Sequence, residues 1–353
     1  MKKTKKTIAL VTIITLLAVL LAGCGNNGAP QHAADTEGGP TPYENGNGEV
    51  LAEQHFIIGA INFMEHPALT DAFDGFVSGL AANGFVVGRN VTIHYDNAQG
   101  DMSTLATIAD RFVSMEVDMI LSITTPATQA VAAATETAPI PVLGTAITNY
   151  VVAGIIDSNE RPGGNITGTS DMNPVEAQID FIIELVPDIE TIGLIYNSSE
   201  ANSVVQIEMA KEIIESRGLA WHEVTVTSSG EVIMAMESLA GRVQAVYIPT
   251  DNTVATAMPA VHSVAMETGL PTVTGAITMI WDGGLASMGI CYYELGYATA
   301  LMAIEVLVHG ADTATMPIQW APDNHDIVIN GLVAQEIGFT VPERFRAYVV
   351  YPE

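Results

Sequence analysis

From residue 56 onward, short apolar runs alternate with stretches in which apolar residues recur at every third or fourth position. Residues 56–61, 91–95 and 119–123 are the runs, and 69–83 and 102–115 are the helical stretches between them. Strands buried on both faces of a parallel sheet read as continuous apolar segments, and joining two of them needs a crossover, usually a helix. The alternation predicts an α/β fold built on a parallel, doubly wound sheet.

The second half of the chain repeats the first. Ile58-Gly59 aligns with Ile192-Gly193, and Asn83-Gly84-Phe85 aligns with Arg217-Gly218-Leu219, at one spacing of 134 residues (192 − 58 and 217 − 83). Pro141 with Ala146-Ile147-Thr148 likewise matches Pro271 with Ala276-Ile277-Thr278, and Gly154 falls on Gly284, at 130 residues (276 − 146). Matched strands and turns in the same order imply two similar Rossmann-like lobes. In open parallel sheets ligands bind outside the carboxyl ends of the strands, where helix N-termini gather. Two facing lobes therefore enclose a cleft lined by residues 62–69, 124–127, 145–150, 197–203, 250–253 and 276–281.

The N-terminus has another pattern. Lys2, Lys3, Lys5 and Lys6 precede an apolar run over 8–21 that ends in Leu21-Ala22-Gly23-Cys24. A basic head and a short apolar run read as a secretory signal peptide over 1–23, too short for a spanning helix of roughly 20 residues. The Leu-Ala-Gly-Cys ending resembles the bacterial lipobox, which implies lipidation of Cys24 and an anchor on the outer face of the cell membrane. Residues 24–53 are rich in Gly, Asn, Pro, Thr and Ala and form a flexible linker. Lobe 1 is expected over 54–170 with about 290–320 returning to it, and lobe 2 over 171–289 with about 321–353. With Cys24 assigned to lipid, no disulfide framework is expected.

Charge narrows the partners. The chain carries 12 Lys and Arg against 40 Asp and Glu, a formal net charge of −28, and Lys211 is the only lysine beyond the leader. Such a surface repels phosphate backbones and anionic headgroups, which argues against a nucleic-acid partner.

The cleft segments carry candidate chemistry. Glu65, His66, Asp71 and Asp74 are close in sequence, but a single His followed by Pro67 is no helical zinc pattern, so no metal is expected. Pro67 suits the first turn of a helix, and His66 either holds the loop or touches a ligand. There is no Gly-x-Ser-x-Gly elbow and no phosphate-binding loop with its Lys, so neither an enzyme nor a cofactor is expected. A zwitterion with a ring fits better. Its carboxylate would meet hydroxyl and N–H donors at Thr124 and Thr125, before Pro126 and Ala127, or at Ser198 and Ser199. Its ammonium would meet a carboxylate, with Asp251, at the end of the run 246–248, as first choice. Asn62, Asn197 and Asn252 suit either end, while Asn202 and Ser203 suit helix capping at least as well. Phe63, Met64, Tyr150 and Trp281 are candidate pocket walls or core, with Thr145 and Ala276 at the same strand ends.

Several stretches together resemble a known family: Glu65-His66-Pro67-Ala68-Leu69, Asn97-Ala98-Gln99-Gly100, Thr125-Pro126-Ala127, 162–168 (Pro-Gly-Gly-Asn-Ile-Thr-Gly), 196–203 (Tyr-Asn-Ser-Ser-Glu-Ala-Asn-Ser) and Pro249-Thr250-Asp251-Asn252-Thr253. From about residue 56 to the end, the chain is similar to substrate-binding lipoproteins of bacterial ABC importers, in the group associated with tryptophan and tyrosine uptake. That resemblance implies a type I periplasmic-binding fold with crossings near 168–171 and 289–292, a monomer that closes on an aromatic or related amino acid, and a permease partner with a cytoplasmic ATPase. The chain departs from the family pattern after Thr148, where Asn149-Tyr150 replace the usual Asp-Pro. A ligand-sensing lipoprotein and an extracellular hydrolase of nucleosides or sugars are the competing readings.

Overall fold

A computed structural model describes residues 54–352 except Pro139 and 322–325. The leader, the linker over 24–53 and the lipidation expected at Cys24 lie outside the described residues. Lobe 1 opens with β1 (Phe56–Asn62), α1 (Pro67–Ala82), β2 (Val91–Asn97), α2 (Met102–Ser114), β3 (Met119–Ile123), α3 (Thr125–Thr135), β4 (Val142–Ile147) and β5 (Ile166–Ser170). Lobe 2 follows with α4 (Val175–Leu185), β6 (Thr191–Asn197), α5 (Ala201–Ser216), β7 (Ala220–Val226), α6 (Val232–Leu239), β8 (Ala245–Ile248), α7 (Asn252–Thr256), α8 (Met258–Thr268), β9 (Thr272–Thr274) and β10 (Ala286–Gly289). The chain returns to lobe 1 for α9 (Tyr292–His309) and β11 (Gln319–Trp320), then to lobe 2 for β12 (Asp326–Asn330), α10 (Gly331–Glu336) and β13 (Val349–Val350).

Among the described residues the first sheet has six strands in the order β11-β5-β4-β3-β1-β2, and the second has seven in the order β13-β12-β10-β9-β8-β6-β7. The order runs outward in both directions from β1 and from β6, as the sequence repeat requires. Pairing is parallel except between β10 and β12. The repeated glycines explain one shared turn: Gly84 (φ +86) and Gly218 (φ +75) follow α1 and α5 in the left-handed region that glycine enters without steric cost. The residue after each then donates back to the helix, Phe85 N–H to Leu80 O and Leu219 N–H to Ile214 O.

The expected strand 56–61 and helix 69–83 are observed as Phe56–Asn62 and Pro67–Ala82, with Pro67 in the first turn. Tyr292, at the expected second crossing, begins α9 together with Tyr293. That helix lies backbone to backbone on α1. A Cβ on Gly296 would stand 1.8 Å from Ala72 O, and one on Gly75 would stand 2.0 Å from Tyr293 O. Ala72 meets Gly296 and Gly79 meets Ala300, so the two helices run in the same direction and bring His66 and Tyr292 to the same end.

One core cluster lies within each lobe, and a third runs across the cleft, joining Leu69 and Ala146 of lobe 1 to Ala255, Ala276 and Met279 of lobe 2. Among the described residues no helix is long and apolar enough to cross a membrane.

Candidate functional site

The strand ends of the two sheets face each other. Helix α3 of lobe 1 packs on α5 of lobe 2, and α1 packs on the 3-10 turn Ile277–Ile280 of lobe 2. Between them lies a cavity of about 20 Å³. Lobe 1 lines it with His66, Leu69, Ala146 and Thr148, and the crossings contribute Asp171 and Tyr292. Lobe 2 lines it with Asn202, Thr250, Asp251, Asn252 and the apolar Ala255, Ala276 and Met279. This is room for one water-sized group. A larger ligand enters only when the lobes part.

Three buried carboxylates meet here, and they differ in how many partners they already have. Glu200, at the N-cap of α5, accepts on Oε2 from the Asn252 backbone N–H (3.1 Å), from Asn252 Nδ2 (2.6 Å) and from Asn202 Nδ2 (3.2 Å). Its Oε1 accepts from the Thr253 N–H (3.0 Å) and hydroxyl (2.8 Å). Asp251 caps α7 through Val254 N–H (2.7 Å), and its Oδ2 accepts from Asn197 N–H (2.6 Å) and the Ser203 hydroxyl (2.7 Å). Burial, and then the nearby Glu200 charge, push the Asp251 carboxyl up to about 7. Asp171 sits where the chain first leaves lobe 1. It accepts one bond on each oxygen, from Thr148 Oγ1 (3.0 Å) and from the Tyr292 hydroxyl (2.7 Å). Burial raises its carboxyl, and the two hydroxyls partly offset that.

Contacts across the cleft are few and specific. The Thr148 and Thr250 hydroxyls stand 3.4 Å apart, and His66 Nε2 lies 3.2 Å from Asn252 Oδ1. The Asn252 amide nitrogen is already donating to Glu200, so its oxygen is the acceptor and His66 donates from Nε2. His66 and Glu200 are separated by the repeat spacing (200 − 66 = 134), and each occupies the N-cap of the helix that follows the first strand of its repeat, α1 and α5. The two repeat-related caps thus hold opposite ends of one amide. Burial lowers the His66 imidazole to about 4, which keeps it neutral.

Lobe 1 offers a different surface. Thr124 caps α3 at φ +91, a region costly for a branched residue, and its hydroxyl reaches Ala127 N–H at only 3.4 Å. Ala146, at the end of β4, also has positive φ (+56). The hydroxyl of buried Thr125, the first residue of α3, has no partner, and neither do the side-chain oxygens of Asn62 and Asn202. Buried polar atoms without partners cost stability, so their gathering at this cleft points to a binding role.

Of the residues expected at the site, His66, Asn202, Asp251, Asn252 and Ala276 line the cavity. Thr124, Thr125, Pro126 and Ala127 form the buried start of α3, off the lining. Asn62, at the end of β1, donates to the Tyr95 hydroxyl, and Asn197 donates to Thr253. Other expected residues lie off this lining. Tyr150 is buried in the lobe 1 core with its hydroxyl on Thr169 O, and Phe63 packs in the same core with Met64 against it. Thr145 accepts from the Thr169 hydroxyl inside the sheet. Trp281 is 36% exposed, and Ser198 and Ser199 face outward. Asp251, the first choice for an ammonium, is chiefly a helix cap. Glu200 and Thr148 fall in the expected cleft segments 197–203 and 145–150, and Asp171 and Tyr292 at the expected crossings, but none of the four was singled out as a site residue. The repeat held a signal for two of them, because Glu200 is His66 plus 134 and Thr148 ends the repeated Ala-Ile-Thr.

Comparison with known proteins agrees with this geometry. A family profile described as ABC transporter substrate binding protein matches residues 57–350. A tyrosine-binding protein from Clostridioides difficile is 36% identical over 330 residues, covering 94% of this chain and 91% of that protein. The structure of an ABC domain in complex with L-Trp from Streptococcus pneumonia is 36% identical, covers 84% of this chain and all of that one, and superposes with a TM-score of 0.80. A ligand-free, open substrate-binding protein with adhesive properties from Clostridium difficile is 38% identical with the same coverage of this chain, and superposes with a TM-score of 0.65. These proteins are described by the substrates they bind. The facing α/β lobes, the polar cleft between them and the match over nearly the whole described chain lead to one conclusion: this chain belongs to the ABC transporter substrate-binding protein family.

Proposed function

We propose that this protein is the extracytoplasmic receptor of an importer, anchored through Cys24, that closes on an aromatic amino acid and presents it to a membrane permease. The carrying observation is the cavity itself: residues of both lobes close it, it sets two carboxylates, Asp171 and Asp251, and several neutral polar groups beside apolar walls, and no Lys or Arg lines it. A ligand for such a site brings its own positive charge and an apolar body. The relatives named for tyrosine and found with L-Trp support that class. The chain superposes better on the L-Trp complex than on the open, ligand-free protein at nearly equal identity, which fits a closed arrangement.

Capture follows as a population shift. Ligand contacts to both lobes favour the closed form, so binding and closure are one equilibrium. The α-carboxylate goes to the weakly capped N-terminus of α3, where the Thr125 hydroxyl lacks a partner and the helix dipole favours negative charge. The aromatic ring displaces the soft walls Leu69, Ala276 and Met279 as the lobes part.

A calorimetric screen of the protein carrying Cys24→Ser against amino acids, nucleobases and sugars tests this reading. L-tyrosine, L-tryptophan or L-phenylalanine should bind with a Kd on the order of micromolar, about −8 kcal/mol. Heat from sugars or nucleosides alone would reject it.

A further inference from the structure

We infer that Asp171, with the unpartnered Asn202 side-chain oxygen, is the acceptor site for the ligand ammonium and so the residue that ties recognition to closure. This rests on the amino acid reading above and assigns the charged end of that ligand.

The three buried acids differ in remaining hydrogen-bond capacity. An ionised carboxylate offers about four lone-pair sites. Glu200 fills its own with five donors, and Asp251 uses three with donors fixed in the lobe 2 backbone and in Ser203. An ammonium reaching Glu200 would have to displace donors that hold helices α5 and α7 together, and Asp251 keeps room for one donor at most. Asp171 accepts only two bonds, one per oxygen, both from neutral hydroxyls. One site on each oxygen remains open, and the residue lines the cavity.

Asn202 supplies the second, independent observation. Its amide nitrogen donates to Thr250 O at 2.8 Å and to Glu200, which fixes the orientation of the group. The oxygen is thereby turned away from those partners. It has none of its own, although the residue is 5% exposed and lines the same cavity. A buried acceptor without a donor and a carboxylate with open sites both suit a group with three N–H donors and a positive charge. The cavity volume of about 20 Å³ matches a group of that size.

Position gives Asp171 its further role. It lies between β5 of lobe 1 and α4 of lobe 2, and its partner Tyr292 begins α9 just after the chain crosses back from β10. Thr148, the other partner, directly follows β4 and faces Thr250 across the cleft. An ammonium on Asp171 therefore contacts both crossings and the closing lobes at once. Burial has already raised the Asp171 carboxyl, and an arriving cation reverses that penalty.

The test is calorimetry on the purified full-length protein and its Asp171→Asn variant, with L-tryptophan and with indole-3-propionate, which lacks only the ammonium. Wild type should prefer L-tryptophan, and Asp171→Asn should weaken L-tryptophan about a hundredfold while indole-3-propionate is unchanged or improved. L-tryptophan binding within about threefold of wild type would overturn the assignment and leave the ligand class standing. If wild type instead binds a non-aromatic amino acid, the aromatic reading fails, and loss of that ligand in Asp171→Asn still supports this site. Binding only of ligands that lack an ammonium would overturn both. Should the Asn variant fail to fold, Tyr292→Phe serves. It should shift L-tryptophan several-fold and leave indole-3-propionate in place, whereas equal shifts for the two ligands would count against Asp171.

Discussion

Thr124 and Asp251 hold the same place in the two lobes, each capping the helix that follows the third strand of its repeat, yet they do opposite things. Asp251 caps with a charged oxygen at 2.7 Å from extended backbone, and Glu200 closes the rest of the helix start. Thr124 caps with a hydroxyl at 3.4 Å from a strained backbone, and the next hydroxyl has no partner. The lobe 2 strand ends are saturated by the protein's own acids, while those of lobe 1 keep capacity for a ligand anion. The two copies of the repeat thus differ in how far the chain itself satisfies the helix starts at the cleft.

Replacing the acid that saturates lobe 2 should have the largest effect. Glu200→Ala leaves the Asn252 and Thr253 donors buried without an acceptor, and the protein should lose about 3 kcal/mol, read from denaturant unfolding. A loss under about 0.5 kcal/mol would mean that water replaces the carboxylate.

The next contrast is between His66 and Glu200. Burial in the cleft holds the His66 imidazole near 4, against the ordinary 6.5 it would regain on exposure to solvent. Between those values the open form takes up a proton that the closed form refuses, so closure weakens as pH falls through this window and is unaffected above it. The contribution is on the order of tenfold in affinity near pH 5.5. Asp251 runs the other way, because a carboxyl raised to about 7 takes up a proton on folding and favours the folded form as pH falls. Subtracting the pH profile of His66→Gln, which keeps a donor for Asn252, isolates the imidazole. Superimposable profiles would show that His66 stays solvated in the closed form.

Relieving the strain in lobe 1 should have a smaller effect with the opposite sign. Thr124→Gly should stabilise the free protein by up to about 1 kcal/mol in a melting experiment, since glycine accepts φ +91, and it should weaken ligand binding. Stabilisation with unchanged affinity would mean that the strain serves no ligand. Smallest is the effect of salt: with a net charge of −28, added salt should raise the melting temperature by screening, and an indifferent Tm would deny self-repulsion any role.

Much of this arrangement was legible in the chain. Apolar runs and the spacing of 134 located both lobes, because strand burial and the turns at Gly84 and Gly218 leave a periodic mark. His66, Asn202, Asp251, Asn252 and Ala276 were legible as strand-end polar or small residues. Their division of labour was not, because it depends on how many donors each acid receives from residues far away in sequence, 50 or so apart for Glu200. Tyr150, Phe63 and Trp281 illustrate the same limit. An aromatic after a strand can turn toward cleft, core or solvent, and only packing decides. Asp171 and Tyr292 were hidden because they are 121 residues apart and meet only where two crossings pass.

A crystal structure of the complex with L-tryptophan tests the central comparison most directly. The account predicts the α-carboxylate at the start of α3, on the Thr125 hydroxyl, and the ammonium on Asp171, with Glu200 and Asp251 keeping all their present partners. A ligand ammonium on Asp251 or Glu200, with the α5 and α7 caps rearranged to admit it, would contradict the account.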